Sequence, residues 1–173
     1  MNELYAEQFA AHYDLECRGM RYFNVFGARQ DPDGAYAAVI PKWIAAMIRG
    51  EDVVIYGDGE TSRDFCYIAN VVQANLLAAA TPCDDNPVHE TFNIAVGEQT
   101  TLNELHAALE QELLKLKPEL AIQPAVFRDF RPGDVRHSLA NIHLANTRLG
   151  YTPTHVISDG LVEAMRWYAA DYP

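Results

Sequence analysis

Cysteine, lysine and long apolar runs are all scarce in this chain. The 173 residues contain three cysteines, Cys17, Cys66 and Cys83, dispersed and without a CxxC pair. Such a set builds neither a disulfide framework nor a thiolate metal site, and it fits a reducing, cytoplasmic setting. No apolar run approaches the roughly 18 residues of a membrane span, so no membrane association is expected. Met1-Asn2-Glu3 opens the chain without the basic and apolar stretches of a signal peptide. Basic residues number 13 against 24 acidic, a net charge of −11. That field repels a phosphate backbone and argues against nucleic acid as a partner. Any anionic ligand must then be held by local cations. The six histidines show no HxxH or HxxxH spacing, so no metal site is expected.

Two further signatures are missing. A dinucleotide loop reads GxGxxG after a strand; the nearest match, Gly57-Asp58-Gly59-Glu60-Thr61-Ser62, has serine as its third member and reads as a turn. A Tyr-x-x-x-Lys pair is also absent: Lys42, Lys115 and Lys117 are the only lysines, preceded four residues earlier by Ala38, Gln111 and Leu113. No GxSxG elbow is present either.

Apolar residues make up 49% of the chain, enough for a packed core. Helical periodicity predicts a helix over Asn2 to Tyr13 with Leu4, Tyr5, Phe9 and Tyr13 as its stripe. Met20 to Phe26 reads as a strand running into a loop from Gly27 to Ala38. Pro41, as first residue, opens a helix to Ile48 that Gly50 stops. Val53 to Tyr56 is a strand. A helix over Tyr67 to Ala80 places Ile68, Val71, Val72, Leu76 and Ala79 on one face. Thr91 to Val96 and Ala121 to Phe127 read as strands, and Asn141 to Leu149 and Ser158 to Ala170 as helices. Thr101 and Glu104 have the spacing of a capping box. Alternation of this kind defines an α/β fold. The strands are too few for a complete doubly wound sheet, so an incomplete parallel sheet is expected, with its missing part preceding Met1.

The chemistry-bearing features are two loop arginines among aromatics and turns. Arg63 lies in Gly57 to Phe65, and Arg131 in Asp129-Phe130-Arg131-Pro132-Gly133-Asp134. Guanidinium forks take phosphate oxygens bidentately. By spacing alone, Arg63 pairs equally well with Asp64, and Arg131 with Asp134, as ordinary surface ion pairs. The start of the Pro41 helix, around Val39 and Ile40, offers free amides to an anion or simply to water.

Five segments in order, Arg21-Tyr22-Phe23-Asn24-Val25-Phe26-Gly27, Ile40-Pro41, Gly57 to Phe65, Phe92-Asn93-Ile94-Ala95-Val96-Gly97 and Arg131-Pro132-Gly133-Asp134, carry a family likeness. The whole chain resembles the C-terminal half of an extended short-chain dehydrogenase/reductase of the nucleotide-sugar epimerase/dehydratase family. Within it, Gly34 to Trp43 is similar to bacterial UDP-N-acetylglucosamine 4-epimerases and their uronic-acid relatives.

The resemblance implies a set of roles. Asn24 would bond the sugar diphosphate, Val39 would offer its amide to a phosphate, and Arg63 and Arg131 would clamp the diphosphate. Ala38 and Trp43 belong to the same substrate set. Val54 and Tyr56 would flank uracil, Asp134 would accept from the ribose hydroxyls, and Tyr22 and Phe23 would sit beside the nicotinamide of NAD. Ser138 would leave room for an acetamido group; its alternative role is to cap a local turn.

In the family, tyrosine takes the C4 hydroxyl proton, NAD takes the C4 hydride, and the 4-keto sugar turns over before the hydride returns. The glycine-rich motif and Tyr-x-x-x-Lys lie upstream of the position that Met1 matches. The chain is therefore expected to hold the UDP-sugar side, to have no catalytic residue of its own, and to need an N-terminal half. Residues 1–29 and 66–98 would complete a Rossmann-type NAD domain, and residues 30–65 and 99–173 would form a smaller substrate subdomain. Family members also form homodimers through a helix pair that includes the Asn2–Tyr13 segment. The competing readings are a catalytically dead nucleotide-sugar binding module, a relic that does not fold alone, and a UDP-glucuronate epimerase, decarboxylase or sugar 4,6-dehydratase.

Overall fold

The computed structural model describes residues 1–13, 15–34, 38–82 and 89–171. Cys83 and residues 35–37 of the loop before Ala38 lie outside the described residues. The elements run α1 (Asn2–Tyr13), β1 (Cys17–Tyr22), β2 (Val25–Phe26), α2 (Val39–Arg49), β3 (Val54–Tyr56), β4 (Ser62–Arg63) and β5 (Cys66–Tyr67). They continue as α3 (Ile68–Ala80), β6 (His89–Ile94), β7 (Thr100–Thr101), α4 (Leu102–Leu116), β8 (Val126–Arg128), α5 (His143–Leu149) and α6 (Ile157–Asp171). The fold is α/β. The strands form four pairs: β1–β6, β2–β5 and β3–β8 are parallel and β4–β7 is antiparallel. Among the described residues no helix is long and apolar enough to cross a membrane.

Several sequence expectations are corrected. The continuous strand from Met20 to Phe26 is broken at Asn24, whose φ is +33°. Its side-chain amide donates to the Asp64 carbonyl at 3.1 Å, and Cys66 N–H donates to the Asn24 carbonyl at 3.3 Å. Asparagine tolerates this left-handed geometry better than most residues, and the kink lets β1 pair with β6 while β2 pairs with β5. The second helix begins at Val39, so Pro41 is its third residue, not its first. The leading amides of a helix have no intrahelical acceptor, so proline costs no ladder bond there; the first bond is Lys42 N–H to the Ala38 carbonyl. The Ala121–Phe127 strand is reduced to β8. The buried side of α3 is Asn70, Val71, Ala74 and Ala78, whereas Ile68, Val72 and Leu76 are exposed. The Thr101–Glu104 capping box is present in both directions.

Two apolar clusters hold the molecule together. The larger joins α2, α4 and α6 around Trp43, Leu109 and Met165 and also takes in Phe26 and Tyr67. The smaller joins β5, β6, α3 and α5 around Phe92, Ile94 and Tyr151. A Cβ on Gly160 would lie 2.6 Å from that of Tyr67, so glycine there lets α6 approach β5 closely. Buried Asp64 ties the layers together by accepting from Val96 and Gly97 N–H, each at 2.9 Å. Burial is the largest influence on its carboxyl and pushes it above the usual range, against the pull of these amides.

Candidate functional site

A cavity of about 570 Å³ is walled by α2, β3 and the segment after β8, a size ordinary for small-molecule sites, which span roughly 300–1,000 Å³. The first turn of α2 reaches it through Ala38, Val39 and Trp43. The N-cap, Ala38, has no side-chain acceptor for the amides of that turn. In β3, alternation sends Ile55 into the core and turns Val54 and Tyr56 to the cavity. Asn24 reaches it from the kink between β1 and β2.

The two arginines singled out in the sequence line this same cavity, and Asp134 is beside them. Neither spacing-based ion pair forms. Arg63 Nη2 donates to Asp134 Oδ1 at 2.5 Å across 71 residues, and Nη1 donates to the Ser62 carbonyl at 2.8 Å. Asp64 instead turns inward to backbone amides, as successive residues of extended chain point to opposite sides. The bridge between Ser62 and His137 brings residues 134–138 alongside β4; Ser62 Oγ and His137 Nδ1 lie 2.9 Å apart. Arg131 lies over the Tyr56 ring, its guanidinium carbon 3.8 Å from the centroid. Arg131 is also the largest influence on the Tyr56 phenol and holds it below its ordinary range.

Nine of the ten expected substrate residues therefore line one cavity. Ser138 does not; it is half-buried, with its N–H donating to the Ser62 carbonyl at 3.1 Å. Tyr22 and Phe23 lie apart as well, at the end of β1. The Tyr22 hydroxyl donates to Asn75 Oδ1 at 3.1 Å, and Phe23 N–H to the Ile94 carbonyl at 3.1 Å.

Sequence reasoning missed Lys42 and Arg49, which also line the cavity. Their seven-residue spacing puts both on one face of α2, which is the signal that could have found them. Arg49 pairs with Asp33 at 3.1 Å. With Arg63 and Arg131 they make four basic side chains in the wall, against the four acidic Asp33, Glu51, Asp52 and Asp134. A chain of net charge −11 thus has a wall that is locally balanced.

Residues 1–95, more than half of the chain, match the family described as NAD dependent epimerase/dehydratase, and the chain belongs to that family. It is similar over 97% of its length to a UDP-glucose 4-epimerase of Thermotoga maritima solved with UDP-glucose, at 37% identity and a TM-score of 0.85, covering 50% of that chain. It is also similar, at 38% identity and a TM-score of 0.82, to a UDP-N-acetylglucosamine 4-epimerase of Methanobrevibacter ruminantium in complex with UDP-N-acetylmuramic acid. The match covers 97% of this chain and 51% of that one. A third similar structure is a UDP-glucuronic acid 4-epimerase of Bacillus cereus with UDP-glucuronic acid and NAD, at 28% identity and a TM-score of 0.78. That match covers 97% of this chain and 50% of the other. The chain spans about half the length of the curated relatives it matches.

Proposed function

We propose that the cavity binds the UDP part of a UDP-sugar, and that the protein to which this sequence belongs is a UDP-N-acetylhexosamine 4-epimerase working by transient oxidation at C4. The observation that supports this is the meeting of Arg63 and Arg131, from β4 and from the segment after β8, in one cavity with Tyr56. Two guanidinium groups suit a diphosphate, the uncapped first turn of α2 offers Val39 to the same anion, and an aromatic ring suits a base. Asp134 would exchange part of its hold on Arg63 for the ribose hydroxyls, while Asn24, Ala38, Trp43 and Val54 shape the walls. The acetamido preference rests on the likeness of Gly34 to Trp43 and on Ser138, which lies beside β4.

The residues present do not make up a dinucleotide site. The chain holds neither GxGxxG nor Tyr-x-x-x-Lys, and Tyr22 and Phe23 lie outside the cavity. NAD, when bound, supplies the hydride acceptor in this family, and its main contacts would come from the half that these 173 residues lack. That half is proposed to complete the parallel sheet and to cover the exposed sides of α1 and α3, and the assembled enzyme is proposed to be a cytoplasmic homodimer. The chain alone is therefore expected to turn over no UDP-N-acetylglucosamine, and measured epimerisation by the purified chain would refute this.

Titration calorimetry with UDP tests the binding reading. Arg63→Ala and Arg131→Ala should each weaken UDP by about ten- to hundredfold, the worth of one or two charge-assisted bonds. Unchanged affinity in both variants, or no binding by the unsubstituted chain, would remove it.

A further inference from the structure

Of the three guanidinium groups in the cavity wall, Arg49 pairs with Asp33, and those of Arg63 and Arg131 are held in different ways. Arg63 is fixed by a carboxylate and a carbonyl, Asp134 Oδ1 and the Ser62 oxygen. Among the described residues no carboxylate pairs with Arg131; its guanidinium rests on a neutral ring. The backbone shows how it gets there. Tyr56 stands opposite Arg128 in the β3–β8 pair, and Gly57 N–H donates to the Arg128 carbonyl at 2.7 Å. Gly57 has φ +86°, and a Cβ on it would lie 2.2 Å from a ring carbon of Phe130. Phe130 therefore packs into space that only glycine leaves open. With residue 130 pegged against Gly57, residue 131 turns back toward the end of β3.

We propose that Tyr56 is a positioning residue for Arg131, its ring seating the guanidinium in the cavity while the Gly57–Phe130 contact sets the approach of the segment. A neutral seat leaves the arginine's charge uncompensated and available to an anion, which a carboxylate partner would not. The cation–ring attraction is strongest where water is displaced. The proposal rests on the reading of the cavity as a UDP site, and it adds a second role to a side chain otherwise seen only as a surface for the base.

Calorimetry with UDP and with uridine separates the two roles, because uridine carries the base without phosphates. Tyr56→Leu should weaken UDP by about three- to thirtyfold, the cation–π range expressed as affinity, and weaken uridine far less. Tyr56→Phe keeps a ring and should recover most of the loss. Tyr56→Leu added to Arg131→Ala should cost UDP no more than Tyr56→Leu costs uridine, since the part that acts through Arg131 is already gone. Additive penalties, or equal losses for UDP and uridine, would overturn the proposal and leave Tyr56 as a base platform.

A ligand-free measurement runs beside it. The near-ultraviolet phenolate signal that disappears in Tyr56→Phe should titrate at lower pH in the unsubstituted chain than in Arg131→Ala. An identical titration in both would overturn the seat even if UDP binds, whereas a shifted titration without UDP binding would retain the seat and remove the ligand reading.

Discussion

The cavity wall and the surroundings of the β1–β6 pair are built differently. In the cavity wall Arg63 pairs with Asp134 and Arg49 with Asp33, and Arg131 rests on the Tyr56 ring. The helices behind it, α2, α4 and α6, bury large side chains completely, with Ile44, Leu109 and Tyr168 all at 0% exposure. Around β1 and β6 polar groups also find partners, Arg21 with Glu3 and Arg148 with Glu90, but large apolar side chains are left open. In α1 the side chains of Leu4, Tyr5, Phe9 and Tyr13 are 50–67% exposed, and in α3 Val72 and Leu76 are 51% and 66% exposed. Only Ala10 of α1 is buried. The contrast marks the side that the proposed N-terminal half would cover.

The sharpest way to break that comparison is to weaken each region in turn. Leu109→Ala removes a fully buried side chain from the core beside the cavity and should cost about 2–5 kcal/mol in urea unfolding. Phe9→Ser with Leu76→Ser, on the open side, should change stability by no more than about 0.5 kcal/mol. The same double variant should reduce self-association in sedimentation measurements. A large loss of stability from the double variant would mean that α1 and α3 are packed in solution by the chain itself.

The sequence makes the elements legible and their surroundings much less so. Helical periodicity locates α1 and α6 because their apolar residues recur at helical spacing, and the Thr101–Glu104 capping box marks the start of α4. Periodicity misplaces the buried face of α3, since IANVVQANLLAAA is apolar on nearly every side and no stripe stands out. The break in MRYFNVF is invisible because every flanking residue favours a strand, and the kink comes from an Asn24–Asp64 bond across 40 residues. The pairing of Arg63 with Asp134 is hidden for a related reason: proximity in sequence favours Asp64, whereas strand alternation turns Asp64 inward. The cavity's composition was legible only through ordered motifs, which carry tertiary information that single spacings lack. What those motifs did not convey is that Ser138 stands outside the cavity wall and that Arg131 rests on Tyr56.

A smaller effect tests the smaller cluster. Cys66 is fully buried beside Tyr151, and burial pushes its thiol from an ordinary 9.0 up to about 11. Only the thiolate reacts with disulfide reagents. At mildly alkaline pH its thiolate population should be about a hundredfold below that of an ordinary thiol, and shielding slows it further. In the native chain the half-buried Cys17 should therefore react before Cys66, and Cys66 should become reactive only on unfolding. Equal native rates for the two would show that β5 and α3 open readily.

The smallest effect concerns the first turn of α4, which follows β7 and supports the wall near Thr61. Thr101 Oγ1 accepts from Glu104 N–H at 3.1 Å, and Glu104 Oε2 accepts from Thr101 N–H at 2.8 Å. The bond from the Thr101 backbone is the main reason the Glu104 carboxyl lies below its ordinary 4.5. A carboxyl lowered in the fold contributes stability that is fully present above its unfolded value and is lost as pH falls through the lowered folded value. Thr101→Ala should cost about 1 kcal/mol near neutral pH. Glu104→Gln should remove the acid-dependent part alone, so that unfolding curves of variant and parent converge below the folded value and separate above 4.5. Exposure of this carboxylate keeps that part to a few tenths of a kcal/mol, about the size of an exposed charge interaction. If the difference between the two proteins did not change between acid and neutral pH, the cap would be held by the threonine alone.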